Sequence, residues 1–148
     1  VSDSAAVIWD APYGDHPARR AARSSMAAVA AGRREDWLGL FAPDALVEDP
    51  VGPSMLDPGG EGHRGRDGIG RFWDGNIGSV RGFRFRVADS FANGPCCANV
   101  VSITMTLDGG AVMTVDCVIV YTVDESGLIT SLRAHWEPER ALATLTAP

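Results

Sequence analysis

The sequence predicts an α+β fold in a single domain: three helical segments come first and a curved antiparallel sheet follows them. Three observations predict it. Ala22, Ser25, Met26 and Val29 follow three- and four-residue spacing, the mark of one helix face, and such spacing is confined to the first half. From Val80 onward the pattern becomes alternation, with Arg84 and Arg86 set between Phe83, Phe85 and Val87. Turn-forming stretches at 92–94, at Asp108-Gly109-Gly110 and at 124–127 cut that region into strands. Helices and strands in separate blocks make an α+β layout.

Taken in order, residues 1–14 mix small residues, Pro and Gly with Trp9 and Tyr13, and are expected to form a flexible arm. Residues 15–148 form the domain. Asp15-His16-Pro17 starts the first helix, with Asp15 as its cap and Pro17 in its first turn; Gly32 ends it. A second short helix spans 34–41 and is ended by Pro43. A strand over 45–52 stops at Pro50, and a long Pro- and Gly-rich loop, a candidate lid, runs to Gly65. The third helix covers 66–77 and buries Ile69, Phe72 and Trp73. Strands follow over 98–107, 112–123 and 128–136, and the tail after Pro138 is short.

The balance of charge narrows the function. A net charge of −6 and a pI near 4.9 leave no basic footprint for nucleic acid. No apolar run approaches a membrane span, and the start does not read as a signal peptide, so a cytoplasmic protein is expected. All 13 basic residues are Arg, which excludes a Schiff-base or P-loop lysine. Cys96, Cys97 and Cys117 contain no Cys-x-x-Cys, so neither a zinc ribbon nor a redox pair is indicated. No set of His, Cys and carboxylates has metal-ligand spacing, and no cofactor is expected.

The stretch Ala45-Leu46-Val47-Glu48-Asp49-Pro50 carries the chemistry. Strand side chains alternate between faces, so Val47 and Asp49 share one face and Glu48 takes the other. A carboxylate on an apolar face has a raised pKa and becomes a usable base. A curved sheet packed on helices leaves a hollow, and aromatic walls suit a flat or polycyclic apolar ligand. His135 is assigned to the opposite strand face from Trp136, and Asp116 faces away from Cys117, Ile119 and Tyr121.

The segments Val47-Glu48-Asp49-Pro50-Val51-Gly52, Gly65-Arg66-Asp67-Gly68-Ile69, and Asp124-Glu125-Ser126-Gly127-Leu128-Ile129 through His135-Trp136 resemble the ketosteroid isomerases. These belong to a larger NTF2-like (cystatin-like) group with SnoaL-type polyketide cyclases and limonene-type epoxide hydrolases. The likeness covers about 17–138. It implies a conical barrel, its curved antiparallel sheet wrapped around the three N-terminal helices, with a deep apolar pocket and a homodimer. By resemblance Asp49 matches the proton-shuttling base, and Trp73 and Trp136 match pocket aromatics. Two positions depart: where those isomerases carry an oxyanion-hole tyrosine and a protonated carboxylic acid, this chain has Ser25 and Ile119.

The pocket is therefore expected to be lined by Ser25, Trp37, Phe41, Met55, Trp73, Phe85, Cys117, Ile119, Tyr121 and Trp136. Its guest would be a bulky, apolar, polyketide- or steroid-like molecule. A cyclase, which relies on holding reactive ends together, is ranked ahead of a Δ5-3-ketosteroid isomerase because both oxyanion donors are replaced. A non-catalytic carrier of an apolar ligand and an epoxide hydrolase rank below these two.

Overall fold

The computed structural model describes residues 6–12 and 14–148. Tyr13 and the first five residues of the expected arm lie outside the described residues. The elements are β1 (Val7–Trp9), α1 (Pro17–Ala30), α2 (Arg34–Leu38), β2 (Phe41–Glu48), β3 (His63–Arg64), α3 (Gly65–Phe72), a π-helical turn (Trp73–Ile77), β4 (Gly82–Asn93), β5 (Cys96–Thr106), β6 (Val112–Val123), β7 (Ile129–His135) and α4 (Pro138–Leu142). The strands form one curved, unclosed 7-stranded sheet in the order β1-β4-β5-β6-β7-β2-β3.

The sheet is not antiparallel throughout. β4 to β7 pair antiparallel, but β1 joins β4 in parallel and β2 joins β7 in parallel. Through the first of these joints residues 7–10 of the expected arm are held on the sheet. Val7 to Trp9 pair with Phe85 to Val87, Asp10 N–H donates to Val87 O at 2.9 Å, and Asp10 takes an ion pair from Arg86 at 2.9 Å. Sequence-local patterns do not signal a three-residue strand whose partner lies 78 residues away.

Helix α1 buries Ala18, Ala22, Ser25, Met26 and Val29, the stripe its spacing predicts. Its cap is His16, not Asp15: Pro17 is the first helical residue, so residue 16 is the one whose side chain reaches back, and its Nδ1 accepts from Ala18 N at 3.1 Å. Helix α2 ends at Leu38, and Phe41 and Pro43 belong to β2, which thus runs 41–48. Pro43 is tolerated there because the β2–β7 ladder is interrupted between Phe41 and Leu46, where no partner needs its missing N–H. Helix α3 passes into the π turn, with Ile69, Phe72 and Trp73 buried. The tail holds a fourth helix, α4, too short to give a periodic signal. Beyond it Thr146 exchanges backbone hydrogen bonds with Val112 and covers the edge of β6.

The core lies between the concave face of the sheet and α1 to α3, with Met26, Trp37, Phe41, Val47, Ile69 and Ile129 almost wholly enclosed. The 52–65 loop is tied back onto β2. Asp57 accepts from Gly62 N at 2.7 Å, and Gly62 has φ +77 with its Cα facing β2. A Cβ there would stand 2.9 Å from Val47 O and from Glu48 Cγ. Gly62→Ala is expected to destabilise the fold by about 1–3 kcal/mol, from strain at positive φ plus this clash, measured by urea denaturation. A change below a few tenths would mean the loop is not anchored there.

Candidate active site

The sheet ladder brings the site together. Val47 pairs with Leu132, and Leu132 with Tyr121; Glu48 pairs with Arg133, and Arg133 with Val120. One step further Asp49 comes beside Ala134, which pairs with Ile119. Val51 N–H donates to Ala134 O at 2.8 Å and holds the chain on that line past the end of β2. Glu48 faces the other way and accepts from Arg133 at 2.8 Å. Val47, Asp49, Leu132, Ala134, Ile119 and Tyr121 thus share the concave face, as strand alternation requires.

The Asp49 carboxyl is packed around by protein although the residue as a whole keeps some surface. Burial pushes its pKa from 3.8 up to about 6, and the hydrogen bond from the Trp136 indole acts in the opposite direction. Trp136 Nε1 donates to Asp49 Oδ1 at 2.5 Å. Asp49 Oδ2 takes no hydrogen bond from the described residues. One oxygen is therefore anchored and the other is without a hydrogen-bond partner among the described residues. A carboxylate held this way is a base at neutral pH, and once protonated it is an acid strong enough to give the proton back.

Below Asp49 the floor carries Cys117, Ile119 and Tyr121, all buried. Burial, with the charges of Asp49 and Asp116, pushes the Cys117 thiol up to about 12, so it is no thiolate nucleophile. Burial also raises the Tyr121 phenol well above its ordinary value, with the Asp49 charge adding to the rise and a hydrogen bond to Ser25 opposing it. Tyr121 OH lies 3.1 Å from Ser25 Oγ, which also accepts from Trp37 Nε1 at 3.0 Å.

The segment 22–132 matches the model of the SnoaL-like domain family. The chain belongs to the SnoaL-like family. Its layout is that of the NTF2-like superfamily. The chain is 32% identical to the steroid Delta-isomerase of Nocardioides simplex over 118 residues, covering 79% of this chain and 87% of that protein. The crystal structure of a Δ5-3-ketosteroid isomerase from a Mycobacterium species superposes with a TM-score of 0.79 at 36% identity, covering 89% of this chain and 98% of that one. A Mycobacterium tuberculosis protein in complex with estradiol-17β-hemisuccinate superposes with a TM-score of 0.79 at 33% identity, covering 89% and 99%.

Within this SnoaL-like chain the expected pocket residues divide. Ser25, Cys117, Ile119, Tyr121 and Trp136 gather on the floor and rim around Asp49. Trp37 and Phe41 lie in a ring cluster, with Trp37 donating from its indole to Ser25. Their rings meet edge to face at 4.8 Å, Trp37 also packs on Phe72 and Trp73, and both are core. Apolar type and spacing signal burial, but not which side of a packed layer a ring fills. Met55 is corrected too: it stands 65% exposed on the 52–65 loop. Phe85 is buried and stacks on Phe83 at 5.9 Å.

Two open spaces are lined by residues of the expected pocket, and only the first shares any with the surroundings of Asp49. One of about 660 Å³ is lined by Val51, Cys117 and Trp136 together with Val100, Val118 and Arg140 on the outer face. One of about 250 Å³ lies between α1, the π turn and β4, lined by Val29, Trp73, Ile77 and Phe83. Neither is lined by Asp49. The concave face itself is closed at Tyr121 and Ile119 and becomes part-exposed at Ile103, Met105, Met113 and Phe83.

The structure adds a buried polar cluster to these expectations. Asn99 is fully enclosed, its Oδ1 accepting from Ser90 Oγ at 2.9 Å and its Nδ2 donating to Ile119 O at 3.2 Å, while Arg19 donates to Ser90 Oγ at 3.0 Å. A signal for it exists in the chain: Asn99 sits between Cys97 and Val101 at inward parity on β5. His63 packs on the Phe72 ring at 4.8 Å, and His135 is exposed. Among the described residues no three His, Cys, Asp or Glu side chains are placed to hold a metal ion, and no helix is long and apolar enough to cross a membrane.

Proposed function

We propose that this protein is an isomerase in which Asp49 moves a proton on an apolar, steroid-sized ketone. The observation that supports it most directly is the carboxyl of Asp49, desolvated to a pKa of about 6, with Oδ1 held by Trp136 and Oδ2 left without a partner among the described residues. Oδ2 removes a proton from the carbon between the carbonyl and a β,γ double bond. The C–H electrons move into a dienolate whose negative charge sits on the carbonyl oxygen. Protonated Asp49 then returns the proton to the far carbon, and the double bond ends in conjugation. Relatives above 30% identity named for steroid isomerisation, and a related protein complexed with a steroid ester, support the substrate class. This reverses the order drawn from the sequence, where the cyclase stood first. The cyclase is the second reading, favoured by Ile119: a buried apolar side chain stands where an acid would be expected. Epoxide opening would call for an Arg beside Asp49, but Arg133 is committed to Glu48 on the other face.

The test is turnover of a Δ5-3-ketosteroid, followed by conjugated-enone absorbance across pH. Because Asp49 acts as a base, kcat/KM should rise through about pH 6 and level off above it. Trp136→Phe removes the hydrogen bond that lowers that pKa, so the midpoint should move above 6. Binding without turnover would make the protein a carrier, and a flat profile would remove Asp49 from the chemistry.

A homodimer forms part of the proposal. Phe91, Val100 and Val118 are 63%, 41% and 40% exposed, and the strand pairing puts all three on the outer face of β4 to β6. Such an apolar group on an open sheet face fits a covering partner. Val118→Arg should lower the mass seen by light scattering to that of one chain. An unchanged mass would place any interface elsewhere.

A further inference from the structure

Asp49 lines neither of the open spaces described above, and Ile119 and Tyr121 near it are buried. An apolar guest reaches that carboxyl only if an element of the helical layer moves. Residues 65–80, which hold α3 and the π turn, are built differently from the rest of that layer. Five of the fourteen residues from Gly65 to Gly78 are glycine, a weak helix former. The chain is fixed to the sheet on either side of the segment: His63 and Arg64 pair with Val47 and Leu46, and Arg81 N–H donates to Thr106 O at 2.9 Å. Just inside the first anchor Gly65 has φ +75, which glycine adopts at no steric cost, and it supplies a pivot.

Open space lies on both sides of the segment. A cleft of about 520 Å³ lined by Arg34, Leu38, Arg66 and Arg71 separates α3 from α2, and the space of about 250 Å³ separates the π turn from β4. Close packing is what holds an element still, and it is incomplete here. The polar ties are few. Arg66, one residue past the pivot, donates to Phe41 O at 3.0 and 2.6 Å. Beyond it, among the described residues, the hydrogen bonds that join 67–80 to another element are the two from Arg34 Nε and Nη2 to Asp74, at 2.9 and 3.2 Å. The inner side of the segment faces the site. Ile69, Phe72 and Trp73 are buried, and Phe72 packs on His63, whose strand partner Val47 shares a face with Asp49. Such apolar contacts are non-directional and can slide, whereas the Arg34–Asp74 fork is directional and must break.

We propose that residues 65–80 form a gate that swings about Gly65 to admit an apolar guest to the concave face, with the Arg34–Asp74 pair as its latch. The class of guest rests on the function proposed above; the motion does not. Gly70 is part of the latch. A Cβ there would stand 2.7 Å from Arg34 Nη2, so the missing side chain lets the guanidinium lie across α3 to Asp74. Gly75, in the π turn, has nothing within 4 Å of its Cβ position. One substitution at these two positions therefore has opposite effects. Gly75→Ala adds a better helix former without a clash and holds the gate shut. Gly70→Ala adds the same helix former but displaces the guanidinium and frees the gate.

Opening is measured first without a guest. Ile69→Cys puts a thiol on the inner side of the segment, and its alkylation by iodoacetamide is followed by peptide mass. Cys97, fully buried in the sheet, reports global unfolding in the same sample, and a melting curve checks the fold of each variant. The thiol introduced by Ile69→Cys is expected to react about tenfold faster than Cys97 or more, as local opening outruns global unfolding. In that background Arg34→Met and Gly70→Ala should speed it about two- to fivefold, the range for an exposed ion pair, and Gly75→Ala should slow it about as much. Sodium chloride at about 0.5 M should speed it with the latch present and not in Arg34→Met. A rate equal to that of Cys97, or the same direction for Gly70→Ala and Gly75→Ala, overturns the gate. Admission is then measured with estradiol-17β-hemisuccinate, the steroid ester held by a related protein, by the change in tryptophan fluorescence on mixing. With a gate, the observed rate levels off as steroid is raised, and Arg34→Met lifts the plateau. A rate that climbs linearly and is unchanged in Arg34→Met overturns admission through this segment. Absence of binding, with the labelling pattern as expected, overturns the steroid reading of the site and leaves the gate.

Discussion

Asp49→Asn is expected to lower kcat for ketosteroid isomerisation by about 10²–10⁴-fold and, at neutral pH, to make the protein more stable. The two effects share one cause. The amide cannot take a proton, so the base is gone. It also carries no charge, so the cost of holding a carboxylate out of water is gone. The folded-state pKa of Asp49 lies above its unfolded value, at about 6 against 3.8. The folded state therefore binds this proton more tightly than the unfolded chain does. Its contribution is most favourable below the unfolded value, declines as pH rises through 4 to 6, and is constant above. The difference corresponds to at most about 3 kcal/mol. Asn keeps an oxygen for the Trp136 indole, so that bond survives. Thermal melting should show the variant several degrees above wild type at pH 8 and level with it near pH 4. Equal melting temperatures at pH 8 would mean that the carboxylate is well solvated in the folded protein, and the raised pKa would go with it.

The second large effect falls on stability. Trp37→Ala is expected to cost about 3–5 kcal/mol. Trp37 is 1% exposed and sits where α2 delivers it between Phe41, Phe72 and Trp73, so truncation opens a void the neighbouring rings cannot close. It also strips the indole donor from Ser25. Trp37→Phe keeps most of the ring contact and should cost markedly less. Urea denaturation distinguishes the two. If Trp37→Ala fell within about 1 kcal/mol of wild type, the ring cluster would not be the centre of the core.

Several parts of this fold were legible in the chain. β6 runs over the long apolar stretch 112–123, because turn residues bound that stretch on both sides. The same parity places Asp49 with Val47 and sends Glu48 to the opposite face, where Arg133 meets it. The boundary of α2 was not legible: Trp37, Leu38, Leu40 and Phe41 are apolar whether the chain coils or extends, and only the pairing of Phe41 with Ile129 settles it as strand. The His16 cap, α4 and β1 were not legible for related reasons, each depending on a single contact or a stretch of five residues or fewer.

By itself the sequence determined the α+β class, the stripe of α1, the four long strands and the one carboxylate on an apolar strand face, since each is written in local spacing. Tertiary structure alone decided the parallel joints, the separation of core aromatics from site aromatics, and the meeting of Trp37, Ser25 and Tyr121. Ser25 and Tyr121 lie 96 residues apart along the chain, and no local pattern links them. They meet because a curved sheet closes on α1 to bury both, and a buried hydroxyl must then find its partner wherever the packing supplies one.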